Sequence, residues 1–251
     1  MTTFTTFKKW EVGALVTCAF LGIGLSQTIS SPRNGRPTTV AEKLQKRGVS
    51  LSREGLVLAL RSEDPEVRFL AAEQLAYQGA KDTIPNMQDA LKRENSSLAK
   101  INIGYALAQM EDQVGFETLQ EGCSNDKLAP NLRLMATRYL LDLHRNDCIR
   151  TVLNVLQNAD NPADRMRALS LLPRFEPLSE DDSARVTGLV LAALQDPTPA
   201  VRISAGEVIA RIGGKTAEEY VKAAADHEGD EVVRSQLQAD LRRLQKKYEE
   251  K

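Results

Sequence analysis

The side chains best suited to catalysis or metal binding are few in this chain. It has two histidines, His144 and His227, and three cysteines, Cys18, Cys123 and Cys148. A zinc hydrolase would need His-Glu-x-x-His, a thiol metal or redox site Cys-x-x-Cys, and a phosphate-binding loop a glycine-rich run. None of these patterns occurs in the sequence. The sequence therefore predicts no enzyme activity, no metal, no cofactor and no small-molecule substrate.

The helices that would have to position any site follow a repeating pattern. Asp64-Pro65-Glu66-Val67-Arg68 returns in altered form at Asp196-Pro197 to Val201-Arg202. An aspartate caps the free N–H groups of a helix, and proline suits its first position. A marker residue, apolar or small and followed by a cation, lies at positions 67, 99, 132, 166, 201 and 233. A period of 32 to 35 residues is typical of a solenoid built from helix pairs.

Within each repeat, apolar or small residues recur every four positions, as at Val67, Ala71 and Leu75, which predicts a helix. Its small residues favour close packing, so we expect it to be the inner member of each pair. The cations after the markers are predicted to form a structural ladder between units, with partner binding as the alternative. They are Arg68, Lys100, Arg133, Arg167, Arg202 and Arg234.

The Asp-Pro-x-Val-Arg start and its alanine-rich continuation resemble the HEAT-repeat family, especially short bacterial repeats related to phycobilisome lyases. The resemblance covers about residues 50 to 245. It implies an all-α, right-handed α-solenoid of about six antiparallel helix pairs. Bilin lyases share this repeat, so a lyase-like or chromophore-handling protein is one alternative. HEAT-like iron hydroxylases carry several His-Glu pairs, whereas this chain has only His227-Glu228.

The expected helices have definite limits. Thr39 and Glu42 form a capping-box pattern, which predicts a short helix from Val40 to Arg47. Six outer helices are expected near 52–61, 83–93, 112–121, 147–157, 180–195 and 215–226. Six inner helices are expected near 65–78, 96–109, 130–144, 162–172, 197–212 and 229–248.

This placement predicts two unbridged thiols at Cys123 and Cys148. The two cysteines flank an inner helix of about 14 residues, ~20 Å long. A disulfide needs Cα atoms within about 7 Å.

A protein is the expected partner. The formal charge of −1 and a pI near 6.2 argue against nucleic acid, whose binding proteins carry a basic patch. Solenoids bind extended partners along a concave surface. Six residues after each marker lies a position expected to face that surface: Glu73, Tyr105, Arg138, Leu172, Glu207 and Ala239. Four of them, Glu73, Tyr105, Arg138 and Glu207, are the candidate partner-binding residues.

The N-terminus is expected to direct the protein to a membrane. Residues 1–29 are predicted to be a signal-anchor or a signal peptide cleaved near Ser26, because Lys8 and Lys9 precede an uncharged apolar run from Val12 to Leu25, which reaches about the length of a membrane span when Ser26 to Ile29 are added. Lipidation at Cys18 is a further alternative. Residues 30–38 are predicted to be a linker, and 39–251 the repeat domain on the extracytoplasmic (periplasmic) side. The predicted function is a non-catalytic scaffold, with a structural envelope component as another alternative.

Overall fold

All regular secondary structure in the described part of the chain is helical. The computed structural model describes residues 38–175, 177–212 and 216–249. The predicted signal segment 1–29 and nearly all of the predicted linker lie outside these residues. Among the described helices, none is long and apolar enough to span a bilayer. The all-α class is therefore confirmed for the described residues.

One short helix precedes a series of outer and inner helices. Helix α1 is Val40–Lys46. The outer helices are α2 Arg53–Ala59, α4 Ile84–Arg93, α6 Gln113–Ser124, α8 Ile149–Asn158, α10 Glu180–Ala193 and α12 Ala217–His227. The inner helices are α3 Pro65–Tyr77, α5 Ser97–Gln109, α7 Pro130–Asp142, α9 Pro162–Leu171, α11 Pro199–Ile212 and α13 Glu231–Glu249. The predicted limits agree with these to within three residues.

Local capping explains where several helices begin. Thr39 and Glu42 form the predicted capping box, each side chain accepting a hydrogen bond from the other's backbone N–H. The Asp64 carboxylate accepts from the N–H of Glu66 at 2.8 Å, and Pro65 is the first helical residue of α3. Helix α11 differs from the expectation, because it begins at Pro199 rather than at Pro197.

The core extends along the series of helices instead of surrounding one centre. Each inner helix contacts the next inner helix, and each also contacts the outer helix of its own pair. Within the described residues this packing gives three apolar clusters, with representative buried members at Leu75, Leu140 and Val190. This nearest-neighbour packing is how repeat proteins bury their apolar surface.

Candidate functional site

Arg68 joins two consecutive helix pairs through an arrangement that we call an arginine clamp. Its Nη1 donates to the backbone carbonyl oxygens of Ser62 at 2.6 Å and Glu63 at 2.8 Å, just before its own helix α3. Its Nε and Nη2 donate to both carboxylate oxygens of Glu94, at 2.6 and 2.8 Å, in the turn before α5. Glu94 in turn accepts from the N–H of Ser96 at 2.8 Å. One guanidinium thus fixes the start of two successive inner helices.

The same clamp occurs twice more in the part of the chain that the structure describes. Arg165 in α9 binds both oxygens of Asp196 at 2.7 and 3.0 Å, and Arg202 in α11 binds both oxygens of Glu228 at 2.7 and 2.9 Å. Each arginine also donates through Nη1 to the two carbonyl oxygens that lie six and five residues before it. Bidentate pairs with a guanidinium are strong and geometrically specific.

The clamps keep their carboxylates ionised although these are largely buried. Hydrogen bonds from the arginines hold the pKa of Glu94 and of Glu228 below the usual range. For Asp196, burial alone would raise the pKa, but hydrogen bonds from Arg165 and from Thr198 outweigh it and lower the pKa. The bidentate hydrogen bonds therefore compensate the cost of burying these carboxylate charges. A buried ion pair can link two helices stably only when that cost is compensated.

The fourth member of the predicted ladder needs a correction. Arg165, not Arg167, occupies the clamp position, four residues after the N-cap Asn161. Arg167 is 56% exposed and contacts Asp164 at 2.6 Å. In this unit the residue before the clamp arginine is the buried Asp164. Because the sequence pattern required an apolar or small residue before a cation, it selected Met166 and Arg167 instead. The sequence did contain the right signal, because Asn161-Pro162 matches Asp64-Pro65.

The remaining ladder positions lack a complete clamp. Lys100 is exposed. The position before α7 that corresponds to Glu94 before α5 is occupied by Lys127, whose charge has the same sign as that of Lys100, so the two cannot form an ion pair. Arg133 donates to the Cys123 carbonyl oxygen at 3.2 Å, and its equivalent acceptor position is Ala159. Among the described residues, Arg234 in the last helix pair donates to carbonyl oxygens before α13 and to no carboxylate, the nearer acceptor being Glu228 at 2.9 Å.

A disulfide secures the connection at which Arg133 lacks a carboxylate. Cys123 and Cys148 are bonded, with Cα atoms 6.3 Å apart, so the prediction of two unbridged thiols is wrong. Thr151 also donates to the Cys123 carbonyl oxygen at 2.9 Å. The third and fourth helix pairs are therefore held together covalently.

The prediction failed because it placed the cysteines at opposite ends of α7. The end of helix α6 instead lies beside the middle of α7, where a Cβ on Gly122 would lie only 3.2 Å from that of Ala136. After α7 the chain turns through His144, whose φ of 59° is left-handed, and Cys148 then lies beside Cys123. The place at which one helix approaches another is not encoded in sequence spacing.

The candidate partner-binding residues lie on inner helices: Glu73 on α3, Tyr105 on α5, Arg138 on α7 and Glu207 on α11. We call the face formed by these four positions the inner strip. Glu73, Arg138 and Glu207 are exposed and Tyr105 is half-buried. Leu172, also expected on this face, is instead buried in a 3-10 turn, Leu172–Arg174. When the fourth unit is counted from Asp164 instead of Met166, the exposed Ser170 takes that position. Ser170 and Arg138 line the same pocket.

The structure brings Tyr105 and Arg138 together around a residue that sequence reasoning did not select, Tyr139. The Tyr105 and Tyr139 rings stack with centroids 4.0 Å apart and planes at 7°. The Arg138 guanidinium lies over the Tyr139 ring at 5.0 Å from its centroid. Tyr139 donates its hydroxyl to the Asn102 side-chain oxygen at 2.7 Å, which fixes the ring. Burial raises the pKa of both tyrosines, and the charge of Glu73 adds to the rise.

Glu207 lies apart from this aromatic group, beside Asp240 of α13. Asp240 is buried, its Oδ1 accepts from Arg243 at 3.0 Å, and its Oδ2 has no hydrogen-bond partner within the described ranges. Burial raises the pKa of Asp240, and the nearby charge of Glu207 raises it further. This carboxylate therefore costs stability when it is ionised.

Replacing Asp240 with asparagine should change the pH dependence of stability. Because the folded-state pKa is raised, this carboxyl favours folding below its unfolded pKa of about 4, and that contribution is lost as the pH rises through the folded value. The free energy of unfolding of the variant, relative to that of the native protein, should therefore rise by about 1 kcal/mol between acidic and neutral pH. Urea unfolding at several pH values measures this gain. A constant difference at all pH values would contradict the assignment.

No cluster of metal ligands accompanies the strip in the described part of the chain: groups of three or more His, Cys, Asp or Glu side chains in ligating positions do not occur there. His144 and His227 are both exposed, and His227 Nδ1 contacts the Ala223 carbonyl oxygen at 2.8 Å.

Comparison with known proteins identifies the repeat. A family model for HEAT repeats matches residues 53–141 and 149–242. A search of curated proteins found no match. Among solved structures, human deoxyhypusine hydroxylase in complex with glycerol is similar to this chain at 15% identity, covering 84% of this chain and 81% of that one, with a TM-score of 0.41. A similarity at that level carries no inference about activity.

Proposed function

Because this chain belongs to the HEAT-repeat family, as its sequence pattern predicted, we propose that it is a non-catalytic scaffold that binds another protein along the inner strip. The helix pairs would stack as a right-handed solenoid whose concave side carries that strip. The observation that carries the proposal is the stacked Tyr105–Tyr139 pair with Arg138 beside it. Tyrosine and arginine are enriched among the residues that dominate binding energies at protein interfaces.

The geometry of this group suits recognition. Asn102 and the ring stack hold Tyr139 in place before binding, so little side-chain freedom is lost when a partner docks. The stack spans α5 and α7, which belong to successive helix pairs. A partner lying across both would therefore contact more than one repeat, as solenoid ligands do.

We further propose that the repeats lie outside the cytoplasm, tethered to a membrane through residues 12–29 or released after cleavage near Ser26. The Cys123–Cys148 disulfide supports this location. Disulfides persist in oxidising compartments and are rare in the cytosol. Fractionation of the native host together with N-terminal sequencing of the protein tests both forms.

The binding face can be tested by site-specific crosslinking. A photo-crosslinking amino acid at Tyr105 should capture a discrete partner in the native host, whereas the same group at Arg150 on the outer helix α8 should not. With the captured partner purified, Tyr105→Ala and Arg138→Glu should each weaken binding by about tenfold or more. Arg150→Glu is the matched control for charge. Full binding by both strip variants, with folding unchanged, would exclude this face.

A further inference from the structure

A cleft lies beside the aromatic group at the end of the described series of helices. It has a volume of about 650 Å³ and opens between α1, α3 and the end of α5. Val40 and Ala76 contribute apolar walls, and Tyr77, whose side chain is 86% exposed, stands at its edge. A cleft of this size can hold a long side chain.

Two polar side chains in the cleft, Gln74 and Glu73, have no hydrogen bond to another described residue. Gln74 is buried as a residue, but its side-chain amide has no hydrogen bond to another described residue and is open to the cleft that it lines. The neighbouring Glu73 carboxylate likewise has no hydrogen bond or close ion pair in the described part of the chain, although Lys43 lowers its pKa from a distance. The cleft walls desolvate this carboxylate, which raises its pKa overall.

The cleft is continuous with the inner strip. Gln109 lines the cleft, and its amide lies close to the Tyr105 hydroxyl, where it partly offsets the raised pKa of that tyrosine. Glu73 belongs both to the cleft and to the inner strip, and its charge raises the pKa of Tyr105 and of Tyr139. A partner that covers the stacked tyrosines is therefore positioned to extend one side chain into the cleft.

We propose that the cleft receives an arginine side chain of the protein partner, with the guanidinium paired to Glu73 and hydrogen-bonded to Gln74. This inference rests on the proposed function. A guanidinium has five donors in a planar fork, which match a carboxylate and an amide oxygen side by side, and it stacks on tyrosine faces such as that of Tyr77. The aliphatic stem of arginine would contact Val40 and Ala76. A lysine ammonium is more strongly hydrated and fits such a site less well.

The inference can be tested on the purified full chain without knowing the partner. The probe is n-butylguanidinium, and n-butylurea is its neutral analogue of nearly the same shape. Binding is followed by NMR chemical shifts of the amides of Gln74, Tyr77 and Gln109. We expect n-butylguanidinium to bind with a Kd in about the millimolar range. Glu73→Gln should weaken that binding about fivefold or more, whereas Glu219→Gln on α12 should leave it unchanged.

Other outcomes would overturn the proposal. Equal binding of n-butylurea, no binding of either probe, or equal affinity of the Glu73→Gln variant would each exclude a guanidinium site. A rise in probe affinity after Arg33→Gln and Arg36→Gln would show that the chain's own N-terminal arginines compete for the cleft, which would exclude the partner as occupant. If the probe fails while Tyr105→Ala and Arg138→Glu still weaken binding of the crosslinked partner, the scaffold function stands without this site.

Discussion

Replacing Arg165 with leucine should lower the free energy of unfolding by about 3 kcal/mol. The substitution leaves the carboxylate of Asp196, of which only 10% is exposed, without its bidentate partner. It also removes the donor to the carbonyl oxygens of Ala159 and Asp160. Breaking one half of a buried pair is costly because the remaining charge stays buried and unpaired. Denaturant unfolding followed by circular dichroism measures the loss.

Arg167→Leu is the matched control, two residues away on the same helix. Its guanidinium is mostly exposed and bonds one oxygen of Asp164 within the same turn. The expected loss is about 0.5 kcal/mol. Leucine at both Arg165 and Asp196 should cost less than the sum of the two single substitutions, because neither charge is then left alone. Equal losses from the two arginine substitutions would contradict the clamp assignment.

Removing the disulfide should produce a loss of similar size. Replacing Cys123 and Cys148 together with serine should lower the free energy of unfolding by about 3 kcal/mol, since the bond closes a loop of 25 residues. Among the described residues, the connection it secures has no complete arginine clamp, and the Arg174–Asp142 ion pair that also joins these two helix pairs is partly exposed. Urea unfolding of the native and variant proteins measures the difference.

The loss should also be local. In a repeat protein each unit depends on its neighbours, so hydrogen exchange should increase in α6, α7 and α8 and stay unchanged in α13. A reductant should reproduce the effect in the native protein and leave the serine variant unaffected. Recovery of both cysteines as free thiols from protein prepared under oxidising conditions would refute the bond.

Much of the site could be placed from sequence because its positions follow the repeat. Counting from the marker residues puts Glu73, Tyr105 and Arg138 on three successive inner helices. The count failed in the fourth unit, where Asp164 occupies a position that is apolar or small in the other units. Sequence reasoning also overlooked Tyr139, because its contact with Tyr105 depends on how closely α5 approaches α7.

The carboxylate partners of the clamps were overlooked for a related reason. Glu94, Asp196 and Glu228 each lie two residues before the N-cap of the next inner helix, a regularity that becomes visible once the three pairs are seen together. The sequence pattern predicts Asp196 as a helix cap instead, because proline follows it. In the structure Thr198 is the last residue before α11, and Asp196 accepts the bidentate bond from Arg165.

The sequence by itself determined the helices, their order and the family, because capping residues, proline positions and apolar periodicity act over one or two turns of chain. Only the tertiary structure decided which arginines bind which carboxylates, that Cys123 meets Cys148, and that Glu73 and Gln74 line a cleft beside two stacked tyrosines. Those contacts depend on the angles and distances at which neighbouring helices cross. The crossings are set by the packing of many side chains at once, which no local spacing of residues records.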